Sequence, residues 1–359
     1  MAPKRKAAGN QAEAAATEAR RLTEIVRRFR GRRVAVLADL VSDEFIFGDI
    51  ERISREAPVL ILRHRKTAVV PGCGGNAITN LKALGARPLP VGLVGNDGAG
   101  RGLLAEFKRL RVPTSGILVQ TGHETPSKSR VLAGGVHTRR QQIVRIDRGG
   151  NGDEPSQAVQ KRLKQKLATA LKDAEGLLVA DYGYGAATPQ IVSGVNRRLR
   201  AADKPVLVDS RNRVALYHDV TACTPNQEEV ERATELPPFE AAEALNAAAR
   251  KLLRVTGNRA LLLTRGSRGM NLYERGRRPL QVPAYGSDEV ADVTGAGDTV
   301  IAVFTLAVIA GGGFDDAARL SNYAAGLVVM KMGTATVSPD ELIRAIQEHA
   351  AEEIAGRRR

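Results

Sequence analysis

Residues 291–304, ADVTGAGDTVIAVF, join a glycine-rich turn to the start of an apolar run. Gly295 and Gly297 flank Ala296, and the carboxylate of Asp298 follows directly. Bare amides at the positive end of a helix dipole favour an anion, and an adjacent acid suits phosphoryl transfer by taking a hydroxyl proton. A glycine-rich helix start with a stabilising acid in its first turn explains the same letters. This stretch alone does not separate the two interpretations.

Short apolar runs alternate with helical patterns on both sides of this stretch. The runs are continuous, which is typical of strands buried on both faces of a parallel sheet. The predicted fold class is therefore α/β, with a mostly parallel central sheet and helices on both faces. Helices are predicted around Leu103 to Arg109 and from Ser156 to Lys172. The predicted strands are RRVAVLADL (32–40), ARPLPVGLVG (86–95), EGLLVADYG (175–183), KPVLVDSRN (204–212), ACTPN (222–226) and ALLLTRG (260–266).

Two segments break this rhythm, residues 45–71 and residues 127–147. They alternate apolar with polar side chains, as in APVLILRH and QQIVRID, which predicts strands that expose one face. We interpret them as a small β-lid attached to the main sheet. Because no repeat or long linker divides the chain, one domain is predicted over residues 32–350.

The net charge of +15 is concentrated at the two ends of the chain. Residues 1–33 carry ten Lys or Arg against three Glu, and the last three residues are all Arg. Basic arms can bind polyanions, but solvated ends are the interpretation favoured here, so nucleic acid is not expected as a partner. Residues 1–31 are predicted to be a basic extension, disordered up to about Gln11 and helical afterwards. Residues 351–359 are predicted to be a basic tail.

The remaining composition excludes several classes of protein. Cys73 and Cys223 lie outside any C-x-x-C pair, so neither a disulfide framework nor a thiolate zinc site is predicted. The sequence shows no signal peptide and no apolar run long enough to span a bilayer, which favours a cytoplasmic protein without a membrane partner. P-loop and nucleophile-elbow motifs are also missing.

Several polar residues follow predicted strands. In a parallel sheet the carboxyl ends of the strands share one edge, and ligands bind there. Each residue alone is better explained as a helix cap or turn residue, but their common edge makes a binding site the stronger interpretation. The residues are Asp39, Asp43, Asp181, Asp209, Asn226 and Glu229.

Four motifs in order resemble those of the ribokinase-like (PfkB) carbohydrate kinases. DVTGAGDTVIAVF is similar to the family signature that contains the catalytic base, and PGCGGNAITNLKALGA (71–86) to the sugar-binding signature. TPNQEE (224–229) resembles the N-x-x-E element that organises magnesium and phosphate. LLTRGSRGM (262–270) resembles the T-x-G-x-x-G loop on the nucleotide side. The resemblance extends from about Arg33 to Leu342.

Within this family, the heptose-7-phosphate kinases of lipopolysaccharide-core synthesis are the most similar branch. Residues 37–59, LADLVSDEFIFGDIERISREAPV, look like their opening strand and lid. TPSKSRVL with RQQIVRID (125–132 and 140–147) resembles their second lid segment, and residues 324–342 resemble their closing helix. No nucleotidylyltransferase half follows, so a kinase acting alone is expected.

The resemblance implies a role for each matching residue. Asp298 is implied as catalytic base, with Gly295, Ala296 and Gly297 as the anion hole. The residues implied to bind the substrate are Asp43, Gly72, Asn76, Lys128, Arg130, Arg145 and Asp181. The residues implied on the nucleotide side are Asn226, Glu229, Thr264, Gly266, Gly269 and Asn322. The implied cofactors are ATP and Mg²⁺, the latter held by Glu229 directly or through water; a monovalent cation is left open, and a homodimer is expected.

The implied reaction is phosphorylation of the anomeric hydroxyl of D-glycero-D-manno-heptose 7-phosphate to the 1,7-bisphosphate, for ADP-heptose synthesis. Three departures from the pattern bear on the substrate: Cys73 replaces a glycine, Tyr184 a lysine, and Ser210 with Arg211 a Pro-Lys pair. Another sugar or a nucleoside therefore stays open as the substrate. A non-catalytic protein that binds nucleotides or nucleic acid through the basic arm is the alternative from another class.

Overall fold

The computed structural model describes residues 2–134, 141–149, 154–235, 242–286 and 291–356, with side chains from Ala12 onward. The helices are α1 Ala2–Arg27, α2 Gly74–Ala83, α3 Gly98–Arg109, α4 Gln157–Asp173, α5 Pro189–Ala201, α6 Gln227–Thr234, α7 Ala242–Thr256, α8 Ala296–Ile309, α9 Phe314–Val329 and α10 Pro339–Gly356. The strands are β1 Arg33–Ala38, β2 Leu40–Ile53, β3 Leu60–Cys73, β4 Arg87–Gly95, β5 Ile117–Gln120, β6 Ser127–Gly134, β7 Gln141–Arg148, β8 Gly176–Asp181, β9 Val206–Ser210, β10 Ala222–Cys223, β11 Ala260–Thr264, β12 Met270–Glu274 and β13 Leu280–Val282.

Nine strands form the main sheet, in the order β13-β12-β11-β10-β9-β8-β1-β4-β5. All neighbours from β11 to β5 are parallel, and β12 and β13 add an antiparallel edge. The predicted mostly parallel sheet is confirmed. Strand β1 lies between β8 and β4, so the strand order reverses beside it, and ligands in open α/β sheets bind at the carboxyl edge of such a point.

The strands bury both faces because successive side chains point to opposite sides of the sheet. In β1, Val34 and Val36 pack in one hydrophobic core with helices α2, α3, α8, α9 and α10. Ala35 and Leu37 pack in the other core, with α4, α5 and α7. Helix α8 is buried along most of its length, which explains why its sequence is apolar on every side.

The predicted β-lid is confirmed as a separate four-stranded sheet in the order β3-β2-β6-β7. Strand β2 pairs antiparallel with β3 and parallel with β6, which pairs antiparallel with β7. The lid strands extend further than predicted: β2 begins at Leu40, two residues after β1, and β3 leads directly into α2. Side chains at the base of the lid are therefore held against the carboxyl edge of the main sheet.

Helix α1 confirms the helix predicted after about Gln11, and the burial of its second half corrects the interpretation of residues 1–31 as a solvated extension. The helix begins at Ala2, and Leu22, Ile25, Val26 and Phe29 in and after it are at most 4% exposed and belong to the core beside α8 and α9. In the C-terminal third of α1, the Arg21 guanidinium lies 2.8 Å from the Asp316 carboxylate of α9. These residues are therefore part of the domain. At the other end, α10 continues to Gly356, and the remaining residues of the predicted tail lie outside the described ranges.

Leu22→Ala should lower the free energy of unfolding by about 2–5 kcal/mol, because it leaves a cavity between α1 and the core. Arg20→Ala, on the exposed side of the same helix, should change it by less than about 0.5 kcal/mol. Urea unfolding measures both. Equal, small effects of the two substitutions would mean that α1 is not docked in solution.

Candidate functional site

The turn before α8 requires glycine at its last position. Gly295 caps the helix with φ 81° and ψ 5°, in the left-handed region, and a Cβ there would overlap the side-chain amide of Asn76. No side chain among the described residues caps α8, and none of their atoms lies within 4 Å of where a Cβ would stand on Gly297. The helix N-terminus is therefore uncrowded at Gly297, whereas the Ala296 amide of the predicted anion hole donates to the Val293 carbonyl at 3.3 Å.

Asp298, in the first turn of α8, is 4% exposed, and both of its carboxylate oxygens accept hydrogen bonds. The Tyr182 hydroxyl donates to Oδ1 at 2.7 Å, and the Asn76 amide donates to Oδ2 at 3.0 Å. Burial raises the pKa of Asp298 to about 7, the two hydrogen bonds oppose that rise, and Asp209 and Asp43 add to it. A carboxylate with its pKa near neutrality binds a proton more readily than an ordinary aspartate, which suits general base catalysis.

Asn76, which the family resemblance implies to bind sugar, contacts several protein groups. Its amide donates to Asp298 and also to the Gly295 carbonyl at 3.3 Å, which uses both of its hydrogens. Its carbonyl accepts from Asn80 at 3.2 Å. Asn76 therefore ties α2 to the start of α8, and in this geometry its amide presents no further donor to a ligand.

Asp43, Gly72, Lys128 and Arg130 lie together at the base of the lid. Asp43 is 3% exposed and accepts from the Arg130 guanidinium at 2.8 Å, and the Gly72 backbone lies so close to its carboxylate that a Cβ would overlap it. The Lys128 ammonium lies 3.5 Å from the Cys73 thiol, which is buried and has its pKa raised to about 12 by that burial. Four of the implied substrate residues are thus adjacent.

Among the described residues, no hydrogen bond or ion pair joins Arg145 to the cluster of Asp43, Gly72, Lys128 and Arg130. Arg145 lies opposite Arg130 in the lid, but its guanidinium pairs with Asp147 at 2.9 and 3.1 Å, and the side chain is half exposed.

Asp181, which the family resemblance implies to bind the substrate, is surrounded by donors from the protein itself. It is 1% exposed, and both of its oxygens are engaged by protein donors. They accept from the Ser210 hydroxyl at 2.8 Å, the Tyr217 hydroxyl at 2.9 Å, the Gly183 amide at 3.0 Å and the Arg213 guanidinium. Asp181 therefore joins β8 to the segment after β9, and Ser210, one of the departures from the family pattern, is part of that connection.

Asp39, at the end of β1, organises the loop after β8. Its two oxygens accept from the amides of Tyr182, Tyr184, Ala186 and Ala187 at 2.8–3.0 Å. Burial nevertheless raises its pKa to about 6. This carboxylate fixes the backbone that carries the Tyr182 hydroxyl toward Asp298.

Asp209 and Glu229 are two partly buried carboxylates that repel each other. Burial and Asp209 raise the pKa of Glu229 to about 8, and burial raises that of Asp209 to about 6. Asn226 and Glu229 form a reciprocal cap at the start of α6, with bonds of 2.8 and 2.9 Å. Two such oxygen ligands fit Mg²⁺, because a divalent cation relieves their repulsion. The described part of the chain contains no cluster of three or more His, Cys, Asp or Glu arranged to hold a metal.

The residues implied on the nucleotide side follow one continuous edge. Asn226 pairs with Thr264 in an isolated bridge, Gly269 turns beside Val282, and the Asn322 amide donates to the Pro283 carbonyl at 2.8 Å. Gly266 and Gly269 have φ angles of 56° and 76°, and a Cβ on Gly269 would overlap the Val282 carbonyl. A cavity of about 850 Å³ lies next to Asn322, between α1, α9 and α10.

Sequence reasoning did not identify Tyr182, Arg213, Tyr217 or the pairing of Asp209 with Glu229. Tyr182 packs against one hydrophobic core and Tyr217 lies in the other, and filling a core is what an aromatic residue is expected to do. Their hydroxyl partners lie far away along the chain, at 298 and 181. The one sequence signal for Tyr182 as a site residue was that it directly follows Asp181, the last residue of β8.

Comparisons with known proteins agree with this architecture. The structure is similar to that of Arabidopsis thaliana ribokinase complexed with ribose and ATP, with a TM-score of 0.67 and 19% identity over 88% of this chain and 99% of the other. Escherichia coli phosphofructokinase-2 in complex with potassium gives a TM-score of 0.68 and 14% identity over 89% and 99%. The fold is therefore ribokinase-like.

The sequence places the chain in a family. Residues 41–341 match the model of the pfkB family carbohydrate kinases. Relatives include the bifunctional protein HldE of Caulobacter vibrioides, 37% identical over 89% of this chain and 65% of that protein, and that of Geobacter sulfurreducens, 39% identical over 87% and 62%. The chain thus spans less than two thirds of the length of these two relatives.

The chain belongs to the pfkB family of carbohydrate kinases, so it is an enzyme that transfers a phosphoryl group to an alcohol. Across the described part of the chain, none of the helices combines the length and apolar character that crossing a membrane requires.

Gly295→Ala should destabilise the protein by about 1–2 kcal/mol or more, because alanine disfavours the left-handed region and its Cβ meets Asn76. Gly297→Ala, in helical backbone with open space at its Cβ, should instead stabilise it by about 0.5–1 kcal/mol. Denaturant unfolding of both variants tests this. Destabilisation of the same size at both positions would contradict the turn geometry.

Proposed function

We propose that this enzyme phosphorylates the anomeric hydroxyl of D-glycero-D-manno-heptose 7-phosphate, using ATP and Mg²⁺, to give the 1,7-bisphosphate for ADP-heptose synthesis. The observation that carries the proposal is the buried Asp298 at the uncrowded N-terminus of α8. This acid lies beside the base of the lid, where Lys128 and Arg130 supply positive charge. The motif resemblance to the heptose-7-phosphate kinases supports this heptose phosphate as the substrate.

Asp298 is proposed as the general base. Its carboxylate takes the proton as the O–H bond of the acceptor breaks, the hydroxyl oxygen forms a bond to the γ-phosphorus, and the bond to ADP breaks. The amides of Gly295, Ala296 and Gly297 donate to the oxygens of the transferring group, since donors fixed by a helix need no reorganisation. A pKa of about 7 lets Asp298 be largely deprotonated just above neutral pH and still hold a proton.

Lys128 and Arg130 are proposed to bind the phosphate that the substrate already carries. A thiol is a weak hydrogen-bond acceptor, so the Lys128 ammonium beside Cys73 retains bonding capacity for a phosphate. Arg130 already pairs with Asp43, which orients its planar guanidinium at the same place. Asp43 retains a second oxygen, beside Gly72, for a sugar hydroxyl.

ATP is proposed to lie along the edge from Asn226 to Asn322, with its base in or beside the cavity next to Asn322. Glu229, together with Asp209, would hold Mg²⁺ directly or through water. The ion supplies positive charge to the phosphate oxygens when it is bound. Water exclusion would come from the lid, whose base carries the acceptor site.

A homodimer formed through the lid is also proposed. Large apolar side chains on the lid sheet are at least 40% exposed, an arrangement that marks a binding surface when the residues are contiguous. They are Ile50, Ile53, Leu60, Ile143, Val144 and Ile146.

The non-catalytic alternative is less well supported by the structure. A flexible nucleic-acid-binding arm would be free of the domain, but residues 22–29 bury Leu22, Ile25, Val26 and Phe29 in the core and leave only their charged side chains at the surface. Another sugar as substrate is the stronger alternative, because Tyr184 lies where the family pattern has a lysine.

Asp298→Asn should lower kcat by about 10²- to 10⁴-fold, because the general base is lost while the hydrogen-bonding shape is kept. ATP binding, measured by calorimetry, should persist. Asp203→Asn, on an exposed left-handed residue after α5, is the matched control and should retain full activity. An Asp298→Asn enzyme as fast as the wild type would remove Asp298 from the role.

A sugar panel in a coupled ADP-release assay tests the substrate. Heptose 7-phosphate should give a higher kcat/KM than ribose, fructose 6-phosphate or a nucleoside. Lys128→Met should lower kcat/KM for heptose 7-phosphate by about 10- to 100-fold, the value of a charge-assisted hydrogen bond, and should affect unphosphorylated sugars much less. Turnover of ribose at least as good as that of heptose 7-phosphate would rule out the proposed substrate.

A further inference from the structure

The carboxylate of Asp298 is held from two sides by elements that are far apart in the sequence. Asn76 belongs to α2, which packs along α8, and Tyr182 follows β8, the strand beneath α8. Their donors reach different oxygens, Oδ2 at 3.0 Å and Oδ1 at 2.7 Å. Each carboxylate oxygen has two lone pairs, so one on each remains for an incoming hydroxyl.

Tyr182 itself is fixed. Its amide donates to the Asp39 carboxylate at 2.8 Å, in the set of four amides that this carboxylate gathers from the loop after β8. Its phenol has a pKa raised well above the usual value, by burial first and by Asp298 next. The phenol therefore stays protonated and can act only as a donor toward Asp298 in the neutral pH range.

We infer that Tyr182 is a positioning residue that orients Asp298, through the hydrogen bond to Oδ1, for accepting the proton of the acceptor alcohol. The inference rests on the proposed role of Asp298 and adds a residue to it. Tyr182 contacts the base and not the reacting atoms, so it acts through Asp298.

The surroundings of Asp298 make this donor important. Asp43 on β2 and Asp209 on β9 both face it with like charge, and the Cys73 thiol at the end of β3 is also close, with Lys128 of β6 beyond that thiol. Among the described residues, the hydrogen-bond donors to its side chain are Tyr182 and Asn76. Burial, Asp43 and Asp209 all raise the pKa of Asp298. Without the phenol, Asn76 alone among these donors would oppose that rise.

The sign of the resulting pH effect follows from these contacts. A base must be deprotonated, so the rate falls on the acid side of its pKa, near pH 7 for Asp298. Removing a donor to the charged form raises that pKa further. A hydrogen bond to a charged group corresponds to about one to two pH units. Tyr182→Phe should therefore move the acid limb of the kcat profile to higher pH by about that amount.

The test compares the pH dependence of kcat for the wild type, Tyr182→Phe and Tyr217→Phe. Each is assayed at saturating ATP and heptose 7-phosphate. Tyr217 is a matched control: it is 1% exposed and its hydroxyl also donates to an aspartate, at 2.9 Å, but to Asp181. At pH 6, Tyr182→Phe should be about 10- to 100-fold slower than the wild type, and most of the loss should disappear near pH 9. Tyr217→Phe should keep the wild-type limb.

A direct titration accompanies the kinetics. In protein with ¹³C-labelled aspartate, the carboxyl resonance missing from Asp298→Asn identifies the base, and its midpoint should be higher in Tyr182→Phe. Should that variant fail to fold, 3-fluorotyrosine incorporated at position 182 alone serves instead. Its more acidic phenol is a stronger donor, so the midpoint and the acid limb should both move to lower pH.

The outcomes separate this inference from the proposed function. A Tyr182→Phe enzyme that is slower at every pH with an unmoved acid limb and an unmoved carboxyl midpoint overturns the inference and leaves Asp298 as base. An Asp298→Asn enzyme with the wild-type rate overturns the proposed base, and the role of Tyr182 with it.

Discussion

Burial of the Asp298 carboxylate is the constraint on which the arrangement of the site depends. An isolated charge inside a protein is costly unless donors replace the water it loses. Here the donors come from α2 and from the loop after β8, so the acid can be buried only when both elements are in place. The same contacts set the position of the start of α8, because Asn76 also binds the Gly295 carbonyl. The proposed base and the proposed anion hole are therefore built as one unit.

Carboxylates at the ends of strands divide this work between them. Asp39 binds four amides of the loop after β8, and Asp181 binds Ser210 and the segment after β9, so both carboxylates tie neighbouring segments together. Asp209 and Glu229 remain with raised pKa values and mutual repulsion, which is the condition that a cation relieves. The acidic residues at the carboxyl edge of the main sheet thus differ in role because their hydrogen-bond partners differ.

The sequence predicted the fold well because the signals are local. Continuous apolar runs identify strands buried on both faces, and alternation identified the lid, since each depends on a few neighbouring residues. The glycines around Ala296 were also identifiable, because backbone conformation demands them. Contacts between distant segments were not predictable. Nothing near Asp181 in the chain announces Arg213 and Tyr217 as partners, and the charge of residues 1–33 concealed the apolar face of α1, where Leu22, Ile25 and Val26 follow helical spacing.

The docking of α1 has a consequence for how the chain is made. Helix α1 packs against α10, and both line the same cavity, yet almost the whole domain separates them in the sequence. During synthesis on the ribosome, α1 emerges before α8, α9 and α10, so its apolar face lacks these partners until they have followed. That face must remain exposed, or be covered by a chaperone, while the intervening elements are made, because its contacts with α10 join segments that are far apart in the sequence.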